Sequence, residues 1–389
     1  MSYMTDERRM IQETARKFAM AEVLPVANKL DSVQGEIPMA LRDKMAEMGY
    51  FGILIPEEHG GLGLGTFEYC LVTEELSRAW MSVGSIIRNS TVGHLIPVET
   101  LTDHQRDKYL LKMVTGQCLL AFAMSEPGTG SDVSGLSCRA VRDGDSWLLT
   151  GNKYWCTFAD AADGIIVIAR TEKGVDPKRR FKGLSAFIVD KERGGFPKGM
   201  SGSAIPKIGY HGWKTFELSL DNVRVPAENL LGIEGEAFYM ISKGMETARA
   251  QTAARAIGLA RGALEDSIAF ASDRRQFDRA ISEFQAIRFK IAKMAAEIEA
   301  SRQMMYNVCT LIDQGARCDK EAAMVKYLAT EMAERVTSEG IQIHGGGGYT
   351  TLFSVERYWR DARVTKIFEG TSEIQLRIIS DHLLGKAKP

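Results

Sequence analysis

The sequence predicts an α+β chain of several domains, with helical regions at both ends and a compact β region between them. Apolar residues recur at helical spacing through the first third of the chain. From about residue 119 this pattern gives way to short β-branched or alternating runs, and long helical patterns return after Pro226. Because 389 residues exceed the usual size of one hydrophobic core, we expect domains at residues 1–118, 119–231 and 232–389.

Amphipathic helices are predicted to make up the N-terminal domain. Ile11, Ala15 and Phe18 fall on one helical face, with Gln, Glu, Arg and Lys between them. The segments with this spacing cover residues 5–30, 36–49, 66–88 and 102–116. They predict a first domain without strands.

Strands and then long helices are predicted for the rest of the chain. The strand patterns are "SWLLTG", "GIIVIAR", "GLSAFIVD" and "FELSLDNVRVP", which Gly, Asp, Lys and Pro clusters separate. The helical patterns are "AIGLARGALEDSIAFASDRRQF", "FKIAKMAAEIEASRQMMYNVCTLI" and "KEAAMVKYLATEMAERVTSEGIQI". The order is therefore α, then β, then α.

Composition and charge exclude several classes of function. With 49 basic and 50 acidic side chains, the net charge of −1 gives no overall field that would attract nucleic acid. No apolar run approaches the length of a membrane span, so we expect a soluble protein without membrane insertion. Six cysteines without a CxxC pair suit reduced thiols in the cytoplasm, or in the mitochondrial matrix if the source is eukaryotic.

Common catalytic and cofactor motifs are missing from the sequence. The glycine clusters at residues 59–65, 126–132 and 344–349 fit neither GxGxxG nor the P-loop pattern, which disfavours a nicotinamide enzyme of the Rossmann type. The six histidines are dispersed and form no HExxH or Cys/His cluster, so we expect no metal site. There is also no GxSxG elbow for a serine nucleophile.

The stretch "IFEGTSEIQ", Ile367–Gln375, places a carboxylate beside a glycine at the start of a predicted helix. Ser372 and Gln375 have the spacing of a capping box, so a helix is expected to begin near Ser372. Glu369 then lies in the preceding loop, where Gly370 lets another molecule approach the main chain closely. These residues alone favour a solvated acidic side chain near a helix N-terminus, where the helix dipole stabilises it.

Several segments together resemble the acyl-CoA dehydrogenase family along essentially the whole chain and in the family's order. The similar segments are "AMSEPGTGSD", "YWCTFA", "DRRQF", "EFQAI", "QIHGGGGY" and "IFEGTSEIQ". The resemblance implies an N-terminal helical domain, a middle β-barrel-like domain and a C-terminal four-helix bundle. It also implies FAD as cofactor and a homotetramer built as a dimer of dimers, for which the long amphipathic C-terminal helices would supply surface to bury.

By this resemblance Glu369 is the catalytic base that removes the α-proton of an acyl-CoA thioester. The Glu369 N–H and a ribityl hydroxyl of the flavin would stabilise the enolate oxygen, and Gly370 would allow the approach. The β-carbon would deliver hydride to flavin N5, giving a trans-2-enoyl-CoA, and an electron-transferring flavoprotein would accept the electrons. Two alternatives stay open: an acyl-CoA oxidase or flavin monooxygenase on the same scaffold, and a non-catalytic helical interaction protein.

The resemblance also implies binding roles, residue by residue. The expected substrate contacts are Arg88, Ser131, Glu246, Arg249 and Gly370. The expected FAD contacts are Phe122, Met124, Ser125, Ser131, Trp155, Thr157, Arg274, Gln276, Phe277, Gln285, Gln342, Gly345, Gly346, Thr371 and Glu373. Within the family, positions such as Arg274 to Gln285 commonly reach FAD across a dimer interface.

The chain departs from the family pattern at several positions. Phe368 stands where many relatives have a tyrosine before the base, and Arg255 stands where they have a helix glycine. In "KIGYHGWKT", His211 and Trp213 replace the usual arginine and serine. Some relatives carry the base on the earlier helix, where this chain has Ala248, so the loop glutamate is the single candidate base.

Arg88, in "MSVGSIIRNSTVGHLIP", follows two isoleucines and is surrounded by small residues instead of a charged face. A buried guanidinium needs an anion, because leaving it unpaired is costly. One interpretation is a structural partner such as Glu74 or Glu75, or a side chain that reaches solvent. The other is a polar or carboxylate end of the substrate, since this stretch resembles the turn that closes the family's acyl pocket. The second interpretation predicts a dicarboxyl-CoA dehydrogenase.

Overall fold

The computed structural model describes residues 3–90, 94–172 and 179–385 of the chain. Helices, strands and helices follow one another in the predicted order, with helices up to Val114, strands from Leu120 to Leu231 and a long helix from Ala237. The two predicted domain boundaries fall in or beside the connections between these regions and stay predictions. In the ranges just given, no helix is long and apolar enough to cross a lipid bilayer.

Short helices form the N-terminal region. They are α1 Asp6–Phe18, α2 Leu24–Leu30, α3 Met39–Glu47, α4 Thr66–Ala79, α5 Met81–Ile86, α6 Asp103–Gln105 and α7 Leu111–Val114. A π-helical turn over Ala19–Val23 joins α1 to α2, and a 3-10 turn over Ile87–Ser90 follows α5. Helix α1 begins after Thr5, whose side chain accepts a hydrogen bond from the Arg8 N–H, and two acidic residues in its first turn favour the helix dipole.

One mixed sheet of eight strands forms the middle region, as far as the described residues show. The strands are β1 Leu120–Ala123, β2 Arg139–Asp143, β3 Ser146–Thr157, β4 Gly164–Arg170, β5 Leu184–Asp190, β6 Met200–Ala204, β7 Thr215–Pro226 and β8 Leu230–Leu231. The strand order is β6-β7-β3-β2-β4-β5-β8, and β1 pairs with β4 in parallel. The register between β3 and β7 shifts after Leu149 and again after Lys153, which bends the end of β3.

Strand β4 is buried on both faces and separates two apolar clusters. Ile165 and Val167 belong to the larger cluster, which continues into the helices at both ends of the chain. Ile166 and Ile168 belong to the smaller cluster, which includes the segment before β1. A nearly continuous apolar sequence such as "GIIVIA" is typical of a strand covered on both sides.

Long helices form the C-terminal region and position the candidate site. They are α8 Ala237–Asp273, α9 Gln285–Asp313, α10 Asp319–His344, α11 Val355–Thr365 and α12 Ser372–Leu384, with a hairpin of β9 Arg275–Gln276 and β10 Arg279–Ala280 after α8. Helix α8 packs against α4, α9, α10 and α11, and all of its residues from Thr247 to Ala263 are buried. A charged residue in that stretch must therefore find its partner inside the protein.

Candidate active site

The loop between α11 and α12 holds Glu369 in a strained backbone conformation. Glu369 has a φ of 54° and Gly370 a φ of 90°, and residues other than glycine seldom adopt positive φ. A Cβ atom at position 370 would also lie 2.6 Å from Nε2 of Gln375, so space as well as φ favours glycine there. Strained residues of this kind concentrate at functional sites, and the constraint limits where the Glu369 side chain can point.

Helix α12 is capped by Thr371 and not by the predicted capping box. The Thr371 side chain accepts a hydrogen bond at 3.3 Å from a backbone N–H in the first turn. Ser372 instead donates to a carboxylate oxygen of Glu331 at 2.8 Å, so the predicted pairing of Ser372 with Gln375 is wrong. The helix does begin at Ser372, and Glu369 lies in the loop before it, as predicted.

Two side chains hold the carbonyl oxygen of Gly370. Nζ of Lys326, on α10, donates to it at 2.7 Å, and Nε2 of Gln375, on α12, donates to it at 2.9 Å. Lys326 is fully buried, and burial lowers the pKa of its ammonium group to about 8. The main chain directly after Glu369 is therefore fixed from two helices.

Three side chains bind the carboxylate of Glu369. Nη2 of Arg255 donates to Oε2 at 2.6 Å, and the hydroxyl of Thr252 donates to the same oxygen at 2.5 Å. Both residues lie on α8. Nη1 of Arg88, in the turn after α5, donates to Oε1. Because the Glu369 side chain is only 14% exposed, these charged hydrogen bonds form in a largely desolvated site.

Arg255 is fully buried and has a second set of contacts besides Glu369. Its Nη1 donates to Oγ of Ser85 at 3.2 Å, and its guanidinium carbon lies 4.6 Å from the centre of the Phe368 ring. Its Nε has no hydrogen-bond partner among the residues that the structure describes. The position that departs from the family's helix glycine therefore contributes directly to the surroundings of the predicted base.

Arg88 finds an anion inside the protein, but not one of the expected carboxylates. Its side chain is 23% exposed and forms an ion pair with Glu369. Glu74 and Glu75 are buried on α4 and both contact Arg261 of α8 instead. The predicted structural partners of Arg88 are therefore wrong, because a different arginine already occupies them.

The two arginines control the charge of Glu369. Burial by itself would raise the pKa of this carboxyl, but Arg255, Arg88 and the Thr252 hydroxyl outweigh it and hold the pKa well below its usual range. His94, also buried near this carboxylate, is neutral because burial lowers its pKa to about 3. Glu369 is therefore ionised in this arrangement, but it is a weak base for as long as both guanidiniums bind it.

The first group of predicted cofactor residues lies on the middle sheet. Phe122 is on β1, Met124 and Ser125 follow it, Ser131 is in the next loop, and Trp155 and Thr157 end β3. Trp155 is 56% exposed, has a φ of 60° and contacts Tyr154 edge-on with 4.4 Å between ring centres. The hydroxyls of Thr157 and Thr215 lie 3.0 Å apart.

The second group lies at the ends of the C-terminal helices. Its mostly exposed members are Arg274, Gln276, Phe277, Gln285, Gln342, Gly345, Gly346, Thr371 and Glu373. Phe277 is 88% exposed and has a φ of 50°. No hydrogen bond, ion pair or ring contact of the described chain joins this group to the residues on the sheet. Within one subunit, the described residues of the two groups therefore have no direct contact with one another.

The residues present in both groups fit FAD. The exposed and strained Trp155 offers a flat apolar surface of the kind that packs against a planar ring. Gly128 and Gly130 have open space where a Cβ atom would stand, as do Gly345 and Gly346 at the end of α10. Such open glycines allow the phosphates of a dinucleotide to approach the main chain.

Two predicted substrate residues have partners within the chain. Oε1 of Glu246 accepts a hydrogen bond from the Cys318 N–H at 3.0 Å, and Nη1 of Arg249 lies 3.6 Å from a carboxylate oxygen of Asp319. Both residues therefore contact the start of α10, and their roles toward CoA stay predictions. Across the described ranges, no group of His, Cys, Asp and Glu side chains is placed to hold a metal ion.

The unusual residues of "KIGYHGWKT" have different contacts, because His211 reaches the N-terminal region and Trp213 packs within the middle region. Nδ1 of His211 lies 3.0 Å from the Asp31 carbonyl oxygen, and the buried Trp213 ring meets Phe158 edge-on at 5.5 Å. Ala248, at the alternative position for a base on α8, is buried and has no group that could accept a proton.

Sequence reasoning assigned no role to three residues that the structure places at the site. Thr252 and Arg255 lie one turn apart on α8 and face the same carboxylate oxygen. Lys326 lies on α10 and reaches the same loop. Arg255 and Lys326 could have been found in the sequence, because each is a charged residue inside an apolar helical run, "TAARAIGLA" and "AAMVKYLA".

Family models for three consecutive domains match nearly the whole chain. The model of the acyl-CoA dehydrogenase N-terminal domain matches residues 5–117, that of the middle domain residues 121–223 and that of the C-terminal domain residues 235–384.

Individual relatives are similar over almost the full length. The (2S)-methylsuccinyl-CoA dehydrogenase of Cereibacter sphaeroides is 41% identical, over 98% of this chain and 70% of that protein. The caffeyl-CoA reductase-Etf complex subunit CarC of Acetobacterium woodii is 39% identical, over 99% of this chain and 100% of that protein. A solved glutaryl-coenzyme A dehydrogenase in complex with glutaryl-CoA is 33% identical with a TM-score of 0.91, over 98% of this chain and 96% of the other.

Proposed function

The chain belongs to the acyl-CoA dehydrogenase family of oxidoreductases, and on that premise we propose that it oxidises an acyl-CoA to the 2-enoyl-CoA, with Glu369 as base. The Glu369 loop carries the proposal. A strained backbone and a doubly bound Gly370 carbonyl present one carboxylate inside a desolvated site. The alternative position on α8 holds Ala248, which cannot act as a base.

Glu369 supplies two of the functions that the reaction needs. A thioester α-proton is a poor acid, so its removal needs a positioned carboxylate and a donor for the developing enolate oxygen. The Glu369 N–H makes no hydrogen bond within the described residues and is therefore free to serve as that donor. The carboxylate becomes a stronger base once Arg88 and Arg255 loosen their hold on it.

FAD is the proposed cofactor, and when bound it supplies the acceptor for the hydrogen that leaves the β-carbon as hydride. Trp155 and Thr157 would hold it from the sheet, together with the segment that follows β1. Arg274, Phe277 and Gln285 would hold it from a partner subunit, as the family resemblance implies. Gly345 and Gly346 leave the space that its distal part needs.

A homotetramer, arranged as a dimer of dimers, is the proposed assembly. Phe277 is 88%, Tyr349 84%, Leu352 83% and Leu384 88% exposed in the single chain, all within the C-terminal region. Several large aromatic and apolar side chains left exposed in one region favour an interface between subunits. A light-scattering mass equal to that of one chain would contradict this assembly.

An electron-transferring flavoprotein is the proposed electron acceptor. CarC is by its name a subunit of a complex with Etf, and it matches this chain over its whole length.

All six cysteines are free and buried, which supports a reducing compartment such as the cytoplasm.

The acyl group is proposed to carry a carboxylate or another polar end. Arg88 supports this assignment because it lies at the site, is partly exposed and has Glu369 as its ion-pair partner. Two relatives act, by their names, on methylsuccinyl-CoA and glutaryl-CoA, and both thioesters carry a free carboxylate.

The absorbance spectrum of the purified protein tests the proposal. We expect a flavin spectrum that bleaches anaerobically on addition of an acyl-CoA, with negligible peroxide when air is readmitted. Rapid peroxide formation would indicate the oxidase alternative. A flavin-free protein that does not bind added FAD, or a flavin that no acyl-CoA bleaches, would contradict the proposed function.

A further inference from the structure

Two guanidiniums from separate elements bind the two oxygens of one carboxylate. Arg255 of α8 binds Oε2 of Glu369 and Arg88 of the turn after α5 binds Oε1. Each oxygen that could accept the α-proton is therefore bound by a cation, which weakens it as a base. An exchange in which these partners move to another anion would make Glu369 a stronger base.

Positive charge exceeds negative charge around this carboxylate. Arg88 and Arg255 face one glutamate, and the described residues offer neither of them a second carboxylate. Nε of Arg255, which is fully buried, also has no partner in the described chain. An uncompensated buried cation is costly, so the site is suited to an anion that arrives with the ligand.

We propose that the carboxylate of a short dicarboxylic acyl-CoA takes over Arg255 and Arg88 and thereby releases Glu369 to act as base. This inference rests on the proposed function and deepens it. It makes Arg255, at the position of the family's helix glycine, a residue that determines specificity. Because both guanidiniums touch the base itself, the substrate carboxylate must lie only a few bonds from the α-carbon.

The substrate carboxylate brings the charges of the site into balance. Before binding, Glu369 neutralises one guanidinium; after binding, the substrate carboxylate takes this place and Glu369 turns toward the α-carbon. The α-proton would then pass to Glu369, and FAD, when bound, would supply the acceptor for the β-hydrogen and its electron pair, so that the C=C bond forms without any further reactant. An acyl-CoA without a carboxylate brings no anion, so Glu369 stays paired and reacts slowly.

The pH dependence of the reaction reports on this exchange. The charged and titratable groups around Glu369 are Tyr69 of α4, Arg88, His94, Arg255, Lys326 of α10 and Tyr210. Lys326 has a pKa of about 8 and His94 a pKa of about 3, so neither titrates between about pH 5 and pH 7. Because the pKa of Glu369 lies below its usual range in wild type, an acid limb that rises into that window in an arginine variant reports Glu369. Burial raises the pKa of Glu369 and the arginines lower it. Removing one arginine therefore raises this pKa and moves the limb to higher pH.

The test compares two substrates of equal chain length in wild type and two variants. Glutaryl-CoA and pentanoyl-CoA are given to wild type, Arg255→Gln and Arg88→Gln, with methylsuccinyl-CoA as a branched dicarboxylic substrate. Arg261→Gln is the matched control, because Arg261 is a buried arginine on α8 that pairs with Glu74 and Glu75. Thermal midpoints and FAD content are measured for each variant, and kcat/KM is measured from pH 5 to pH 9.

We expect wild type to prefer a dicarboxyl-CoA over pentanoyl-CoA. Arg255→Gln should lower kcat/KM for the dicarboxyl-CoA by about 100-fold or more, as expected for losing one partner of a buried charge pair. The same variant should raise kcat/KM for pentanoyl-CoA, because Glu369 loses one cationic partner, and should move its acid limb to higher pH. Arg261→Gln should change both substrates by the same factor.

Three results would overturn the inference. They are a wild type that prefers pentanoyl-CoA, an equal loss for both substrates in Arg255→Gln and Arg88→Gln, and an acid limb that stays in place in both variants. If wild type is bleached by pentanoyl-CoA but shows any of these results, the inference fails and the proposed function stands. If no acyl-CoA bleaches the flavin, the proposed function fails as well.

Discussion

Replacing Lys326 with methionine removes a charge that the fold buries beside the proposed base. The ammonium group is fully buried and donates to the Gly370 carbonyl oxygen at 2.7 Å. Methionine keeps most of the side-chain volume, and Gln375 continues to donate to that oxygen at 2.9 Å, so no buried acceptor is left unpaired.

The difference in the free energy of unfolding between wild type and Lys326→Met should depend on pH. Burial lowers the pKa of Lys326 from its usual 10.5 to about 8, so the folded protein releases this proton at a pH where the unfolded chain still holds it. Below about pH 8 the buried charge costs the wild type at most about 3 kcal/mol relative to an unperturbed lysine. As the pH rises from about 8 toward 10.5 this cost disappears, and the free energy of unfolding of the wild type rises relative to that of Lys326→Met.

Denaturant unfolding at a series of pH values between about 7 and 10 measures this difference. We expect the advantage of Lys326→Met at neutral pH to shrink by roughly 2 kcal/mol at the alkaline end. Lys320→Met is the control, because Lys320 lies in the first turn of the same helix and pairs with Glu321 near the surface. A constant difference in the free energy of unfolding between wild type and Lys326→Met over the whole pH range would refute the reasoning.

Three further substitutions test the surroundings of the base and the cofactor. Gly370→Ala should destabilise the protein by about 1–3 kcal/mol and lower kcat, because φ is 90° there and a Cβ atom would lie 2.6 Å from Gln375; a thermal melt and a turnover assay check both. Thr252→Val should raise the pKa of Glu369 by removing its hydroxyl donor, so the acid limb of kcat/KM should move to higher pH. Trp155→Ala should weaken FAD binding by about tenfold while leaving the fold intact, as measured by FAD titration and circular dichroism. An unchanged thermal midpoint in Gly370→Ala, an unchanged acid limb in Thr252→Val or an unchanged FAD affinity in Trp155→Ala would contradict the corresponding expectation.

The order of helices and strands could be read from the sequence because it depends on local periodicity. The position of Glu369 before a helix was likewise predictable, since "EGTSEIQ" combines a flexible glycine with polar cap residues. The cap itself was wrong by one residue, because Ser372 finds a distant partner in Glu331, 41 residues away in sequence. Local rules place a helix start, but a competing tertiary hydrogen bond decides which side chain caps it.

The partners of buried charges were not predictable from the sequence. The need of Arg88 for an anion followed from its apolar surroundings, but Glu369 is 281 residues away in sequence, whereas the expected Glu74 and Glu75 are close to it. Arg255 is 114 residues from the same carboxylate in sequence. The helical pattern around Arg255 predicts a helix but not which group its side chain contacts. Such pairings depend on how α8 packs against the loop before α12. Local sequence patterns do not predict this packing.

The rate of flavin reduction in a Glu369→Gln variant tests the central claim most directly. Glutamine keeps the size of the side chain and a carbonyl oxygen for Arg255 and Arg88, but it cannot take a proton. We expect FAD and a non-oxidisable acyl-CoA analogue to bind nearly as in wild type, while anaerobic bleaching by an acyl-CoA substrate slows by at least about 1,000-fold. Bleaching at a rate close to that of wild type would show that another group removes the α-proton.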